Sequence, residues 1–335
     1  PSGVLLSGGL DSRTILAYLM LQPGANPIFS FTWGIPGCDD ARIAREVSHT
    51  LGVENHFFEL KPDYLLEKAH ECVQLTDGMG NLVNLHAAAT IEQEARFARV
   101  IYKGFLGDAM MGYGLTPNLW TQVKDESITA VHKQSHALLG VLFYTPEELK
   151  SLFAPDAIGK GLETLEEEYI QGYRQSNCSL IADQRNYFDL TQRVPRMTIH
   201  GVEAARSRAV VRLPFSDNDL LDFSLRTPPY LRISRRLIKN AFIHRFPRLA
   251  KIPITETGLP MIACFRELAI RANQQARWRL RAAGLSFIPQ ARRKPYANYN
   301  LWFRTVLRSW VEDILLDRRS LNRGYFNPDI IRKLV

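Results

Sequence analysis

Gly3-Val4-Leu5-Leu6-Ser7-Gly8-Gly9-Leu10-Asp11-Ser12 is the stretch that decides how this chain folds. Val4-Leu5-Leu6 is a short apolar run that ends in glycines, the pattern of a strand buried in a parallel sheet. A glycine pair at the end of such a strand lets the backbone turn tightly and come close to a ligand. Ser12 to Leu21 then shows helical spacing, so the amides of its first turn point back at the glycines and favour an anion there. Ser7 and Ser12 add hydroxyl donors. Asp11 beside an anion is either an ordinary helix cap or the ligand of a cation that bridges to the anion, Mg²⁺ being the obvious one.

Outward from this stretch, strands and helices alternate. Pro27 to Trp33 reads as a second strand, His56 to Leu60 as a third and Val100 to Tyr102 as a fourth. Between them Asp39 to Leu51, Pro62 to Leu75 and residues 86–98 have helical patterns, with Ile43, Ala44 and Val47 on one side of the first and Arg42, Arg45 and Glu46 on the other. This order implies an α/β fold with a parallel sheet covered on both faces. After Gly114 long helical segments follow and strand signals almost vanish. The expected domains are an α/β core over residues 1–114 and a mostly helical part over 115–335.

Composition sets the bounds. A chain of 335 residues with 46% hydrophobic residues can bury a large core in one two-part domain or two domains. No apolar run is long enough to cross a bilayer. Cys38, Cys72, Cys178 and Cys264 stand far apart without a CxxC pair, so buried free thiols in a reducing cytoplasm are expected. The net charge of +8 is uneven: residues 1–114 carry −5 and the remainder +13. A basic half attracts nucleic acid or nucleotide phosphates, or is a solvated surface. The basic residues are spread through helices with no aromatic–basic stripe, so no nucleic-acid partner is expected. The chain opens on Pro1-Ser2-Gly3 instead of Met, and is expected to be a piece of a longer protein.

Ser7-Gly8-Gly9-Leu10-Asp11-Ser12 resembles the PP-loop of the N-type ATP pyrophosphatases; it lacks the GK[ST] ending of a Walker A loop. Within that superfamily the chain is similar to the synthetase domain of glutamine-dependent asparagine synthetases. The segments that carry the likeness are Gly3 to Leu6, Phe31 to Asp40 (FTWGIPGCDD), Gly104 to Gly112 (GFLGDAMMG) and Arg212 to Asp217 (RLPFSD). The resemblance implies a doubly wound parallel sheet of the adenine-nucleotide α-hydrolase-like type followed by a mostly helical half. It implies ATP and Mg²⁺, with Leu5, Ser7, Gly8, Gly9, Asp11, Ser12, Trp33 and Gly104 around the nucleotide and Asp11 and Asp108 on the metal. It also implies an ATP-dependent ligase that adenylates a small-molecule or peptide carboxylate for attack by an amine, with a glutaminase domain upstream.

The departures bear on the second, amide-forming step. Phe105 and Ala109 stand where the family's second loop has glutamates, and Val210 replaces a glutamate before the RLPF segment. Thr255-Glu256-Thr257-Gly258 carries no lysine where the family has one that meets developing charge. Lys103 adjoins the second loop and either neutralises phosphate charge or faces solvent; it is the candidate substitute. Arg235 and Lys239, at i and i+4, either serve the phosphates or form a basic helix face. The alternatives to a ligase are a degenerate ATP-binding homologue and a tRNA-modifying enzyme of the same superfamily.

Overall fold

The computed structural model describes residues 1–24, 27–112, 146–158, 161–282 and 293–335. Five strands form one parallel sheet: β1 (Ser2–Leu5), β2 (Ile28–Gly34), β3 (Glu54–Glu59), β4 (Val100–Tyr102) and β5 (Val210–Arg212), in the order β3-β2-β1-β4-β5. Parallel neighbours need crossover connections. Helices α1 (Leu10–Leu19), α2 (Asp39–Leu51), α3 (Tyr64–Leu75) and α4 (Ala87–Glu94) supply the first three. The chain runs outward from β1 to β2 and β3, then returns to β1's other side with β4. The two loops leaving the carboxyl ends of β1 and β4 diverge there, which is where open parallel sheets bind ligands.

Side chains alternate across the sheet. Phe31 of β2 joins Ile101, Val211, Ala87, Ile91, Ala98, Val202 and Ala205 in a buried cluster, so α4 and the helix His200–Arg206 cover that face. Ser30 and Thr32 point the other way. Ser30 Oγ lies 2.9 Å from Ser48 Oγ of α2, and Thr32 Oγ donates to the Leu6 carbonyl at 2.7 Å. The doubly wound arrangement expected from the sequence is thereby present. Helix α2 has the bounds read from the sequence because its ends are chemically marked. Cys38 Sγ accepts from Ala41 N–H, Asp39 and Asp40 lie in the first turn, and Gly52 closes the helix at φ 68°.

Strand β5 lies in the half read as helical. Three residues are too few to show a period, and only pairing with β4 makes them a strand. The chain gathers into two compact units. The first contains Pro1–Met111, Thr198–Arg226 and Arg235–Asn298; the second contains Gly112–Met197, Thr227–Ser234 and Tyr299–Val335. The boundary expected between residues 114 and 115 lies outside the described residues. The sheet unit takes in later segments because β5 bonds to β4 and because Thr255 N–H donates to the Gly8 carbonyl at 3.0 Å. In the second unit the described residues include the helices Gly161–Arg174 and Ile181–Phe188, with Tyr173 stacked on Phe188 at 4.4 Å and an ion pair between buried Arg232 and partly exposed Asp183. No helix among the described residues is long and apolar enough to cross a membrane. All four cysteines are free, Cys38 and Cys72 being buried.

Candidate functional site

The loop after β1 is held by its own serines and by Asp40 of α2. Ser7 N–H donates to Ser12 Oγ at 3.1 Å, Gly9 N–H to Ser7 Oγ at 3.2 Å and Gly8 N–H to Asp40 Oδ1 at 2.8 Å. Three amides of the turn thus already face oxygen acceptors, and a carboxylate among them marks the turn as an anion-accepting surface. No side chain fits at Gly8, where a Cβ would run into Thr255 Oγ1.

The loop after β4 leans on the first. A Cβ on Gly104 would lie 2.9 Å from Ser12 N and 3.0 Å from Asp11 Cβ. One on Gly107, in the short helix α5 (Gly107–Met110), would lie 2.6 Å from Asp11 Cγ. Between these glycines Leu106 stands at φ 71°, a strained conformation for a bulky side chain. Strain of this kind is kept where the surroundings fix a loop against a working group.

Asp11 is the focus of the site's charge. It forms an ion pair with Arg235, whose other terminal nitrogen donates to Glu256 at 2.9 Å. Arg235 is only 3% exposed, and its Nε has no hydrogen-bond partner among the described residues. Burial pushes the Asp11 carboxyl up to about 7, against the pull of Arg235, and the charges of Asp108 and Glu256 push the same way. Asp108 Oδ1 accepts from Ala109 N–H at 2.7 Å. Asp11 and Glu256 share the Arg235 guanidinium, Asp108 adds its charge to that of Asp11, and Lys239 feels the charges of Glu256 and Arg235. Among the described residues no three acidic, histidine or cysteine side chains group as a metal site, and Asp11 and Asp108 offer the hard carboxylate oxygens that Mg²⁺ takes together with phosphate oxygens.

Beside the loop a cavity of about 240 Å³ is lined by Leu5, Leu6, Ser7, Phe31, Thr32, Trp33, Asp40, His86 and Tyr296. Trp33 packs against His86 at 4.1 Å between ring centroids and against Tyr296 at 5.3 Å, edge to face. Tyr296 arrives from far along the chain. Its carbonyl accepts from Ile35 N–H at 2.8 Å and the Lys294 carbonyl from Asp39 N–H at 3.1 Å, so residues 294–296 are strapped to the loop after β2. Burial lowers His86 to about 4, which keeps it neutral and apolar in behaviour. An aromatic slot continuous with an anion-accepting turn has the shape a nucleotide needs. A larger hollow of about 550 Å³ on another face of α1, among Tyr18, Phe215, Phe223 and Phe242, is mostly apolar, with Thr14, Tyr18 and Gln22 bringing polar atoms to it.

Of the residues expected at the site, Leu5, Ser7 and Trp33 line the cavity, Gly104 and Arg235 stand against Asp11 with Asp108 acting on its charge, and the Ser7–Ser12 contact at 3.1 Å joins the two groups. Among the described residues no bond joins Lys103 to the loop. Its Nζ donates to the Gly201 carbonyl at 2.9 Å, and burial lowers it to about 8 against the pull of Glu94. Lys239 is half-buried, its ammonium lowered by burial. The residues that sequence reasoning passed over are Arg13, Asp40, His86, Glu256 and Tyr296. Arg13 had a legible signal: it lies three residues from both Leu10 and Leu16, on the apolar stripe of α1. The others are joined by contacts with no trace in local pattern.

Glu94 gives a pH test. Burial raises its carboxyl from 4.5 to about 7, so between those pH values the folded protein holds a proton that the unfolded chain has released. Stability is therefore expected to fall as pH rises through that window, by about 3 kcal/mol from this group. Urea midpoints at pH 5 and pH 7.5 check this, with Glu94→Gln expected to lack that share of the fall.

A parallel sheet with a Ser-Gly-Gly-x-Asp-Ser loop at its switch point defines a PP-loop nucleotide-binding domain. The chain matches the asparagine synthase family over residues 1–335, and it belongs to that family. A 54-residue stretch is 46% identical to a probable glutamine-hydrolysing asparagine synthetase of Acanthamoeba polyphaga mimivirus, covering 16% of this chain and 10% of that relative's length.

Proposed function

We propose that this chain is an ATP-dependent carbon–nitrogen ligase that adenylates a carboxylate and passes the acyl group to ammonia or another amine. The observation that carries the reading is the convergence of both glycine loops and Arg235 on Asp11. In the first step a carboxylate oxygen of the substrate attacks the α-phosphorus. The bond to the bridging oxygen breaks, and pyrophosphate leaves with the electron pair. The Gly9 amide and the Ser7 and Ser12 hydroxyls would donate to that leaving group, so their contribution grows as charge moves onto it. Asp11 and Asp108 would hold Mg²⁺, which supplies charge neutralisation when bound. In the second step the amine attacks the acyl carbon, the bond from that carbon to the AMP oxygen breaks with its electron pair leaving on AMP, and the nitrogen's surplus proton passes to solvent. Arg235 is the cation at hand for the developing oxyanion, in place of the absent lysine of the 255–258 segment.

A second reading is a degenerate homologue that binds ATP in a regulatory or assembly role. Glu256, a carboxylate in the segment where a lysine was expected, favours it. Radiolabelled ATP with a panel of small-molecule and peptide carboxylates decides between the two. AMP, pyrophosphate and amide together are the expected products. ATP bound but not cleaved with any carboxylate would move the assignment to the second reading.

A further inference from the structure

Arg13 of α1 is 0% exposed, yet among the described residues no carboxylate stands within ion-pair distance of it. Glu46 and Glu256, the acidic groups whose charge it feels, are bonded to Arg266 and Arg235. Its guanidinium is instead caged by four carbonyls. Nη1 donates to Leu249 at 3.2 Å and Ile252 at 2.9 Å; Nη2 donates to Pro253 at 2.7 Å and to Gly8 at 3.3 Å. Burying a cation without a counter-ion is costly unless an anion comes to it.

The Gly8 carbonyl links this cage to the phosphate loop. It also accepts from Thr255 N–H at 3.0 Å. Within a trans peptide the carbonyl and the following N–H point in opposite directions. Drawing the Gly8 carbonyl back toward Arg13 and Thr255 therefore turns the Gly9 N–H outward, to the side where Ser7 Oγ lies 3.2 Å away. The segment Ile252 to Gly258 that wraps Arg13 contains no lysine or arginine of its own. The cation at this place is delivered from α1.

We infer that Arg13 is a positioning residue for the pyrophosphate part of a nucleoside triphosphate. It fixes the Gly8–Gly9 peptide with its amide toward the phosphates, and it places a permanent positive charge one peptide behind them. This inference rests on the ATP reading above.

The test is calorimetric titration of Mg-ATP, Mg-tripolyphosphate and AMP into the protein and into its Arg13→Gln and Arg13→Lys variants, with thermal unfolding in parallel. Arg13→Gln is expected to weaken ATP and tripolyphosphate binding about 10- to 100-fold while AMP, which lacks the pyrophosphate, changes less than about threefold. Arg13→Lys keeps the charge but cannot span four carbonyls, and is expected to fall between wild type and Arg13→Gln. Equal tripolyphosphate affinity in wild type and Arg13→Gln overturns the inference. So does loss of AMP and tripolyphosphate by the same factor, the mark of a general collapse of the site. If Arg13→Gln does not fold, Arg13→Lys decides: weaker tripolyphosphate with unchanged AMP upholds the role, and an unchanged pair overturns it. A wild-type protein that binds neither ATP nor tripolyphosphate fails the nucleotide reading itself and takes the inference with it; one that binds both, indifferent to position 13, fails the inference alone.

Discussion

Asp11→Ala is expected to abolish Mg²⁺-dependent ATP binding while leaving the protein folded. Asp11 is the one carboxylate that both loops approach, with the Gly104–Gly107 backbone packed over it and Arg235 paired to it. Losing a group behind a metal ligand costs about 10- to 100-fold in metal affinity, so losing the ligand itself should cost about 100-fold or more. The fold should survive because Arg235 keeps Glu256 as an acceptor at 2.9 Å. A second consequence follows from the freed guanidinium: ATP without metal should bind at least as well to the variant as to the wild type, since one cation is released to meet phosphate. Titration with and without Mg²⁺ checks both. An unchanged Mg-ATP affinity in the variant would remove Asp11, and with it the loop, from the nucleotide site.

The second large effect is expected from Gly107→Ala. The added Cβ would stand 2.6 Å from Asp11 Cγ and 2.7 Å from Oδ1, so the carboxylate has to move. Gly107 is not among the glycines of positive φ, and the helix it begins accepts an L-residue there. Folding should therefore be little affected, while the carboxylate is pushed aside by about an ångström. Misplacements of that size cost about 100-fold in rate. AMP formation from ATP is the measurement, with the thermal midpoint as control. Full activity in this variant would show that the second loop does not define the position of Asp11.

Much of this was legible in the chain because it is local. The apolar run Val4-Leu5-Leu6, the glycine pair and the helical spacing after Ser12 lie within a dozen residues, and each has its own physical signature. Helix α2 is marked at both ends, and its bounds follow from composition alone. The pairing of Asp11 with Asp108 was readable only through the likeness of two loops, since 97 residues separate them.

The tertiary structure decided what these parts do together. It made Val210–Arg212 a strand by laying it beside β4, since so short a segment has no pattern of its own. It brought Tyr296 to Trp33 through the main-chain bonds of residues 294–296, and set Arg235 between Asp11 and Glu256. It turned Lys103, adjacent in sequence to the second loop, onto the Gly201 carbonyl. It also buried Arg13, whose charge on an apolar stripe is unfavourable until the carbonyls of residues 249–253 close around it. The sequence by itself determined the strand, the turn and the aspartate, because backbone preference and periodicity act over a few residues. The electrostatics of the site were settled by tertiary structure, because they arise between groups from about twenty to more than 200 positions apart, which only folding brings within reach of one another.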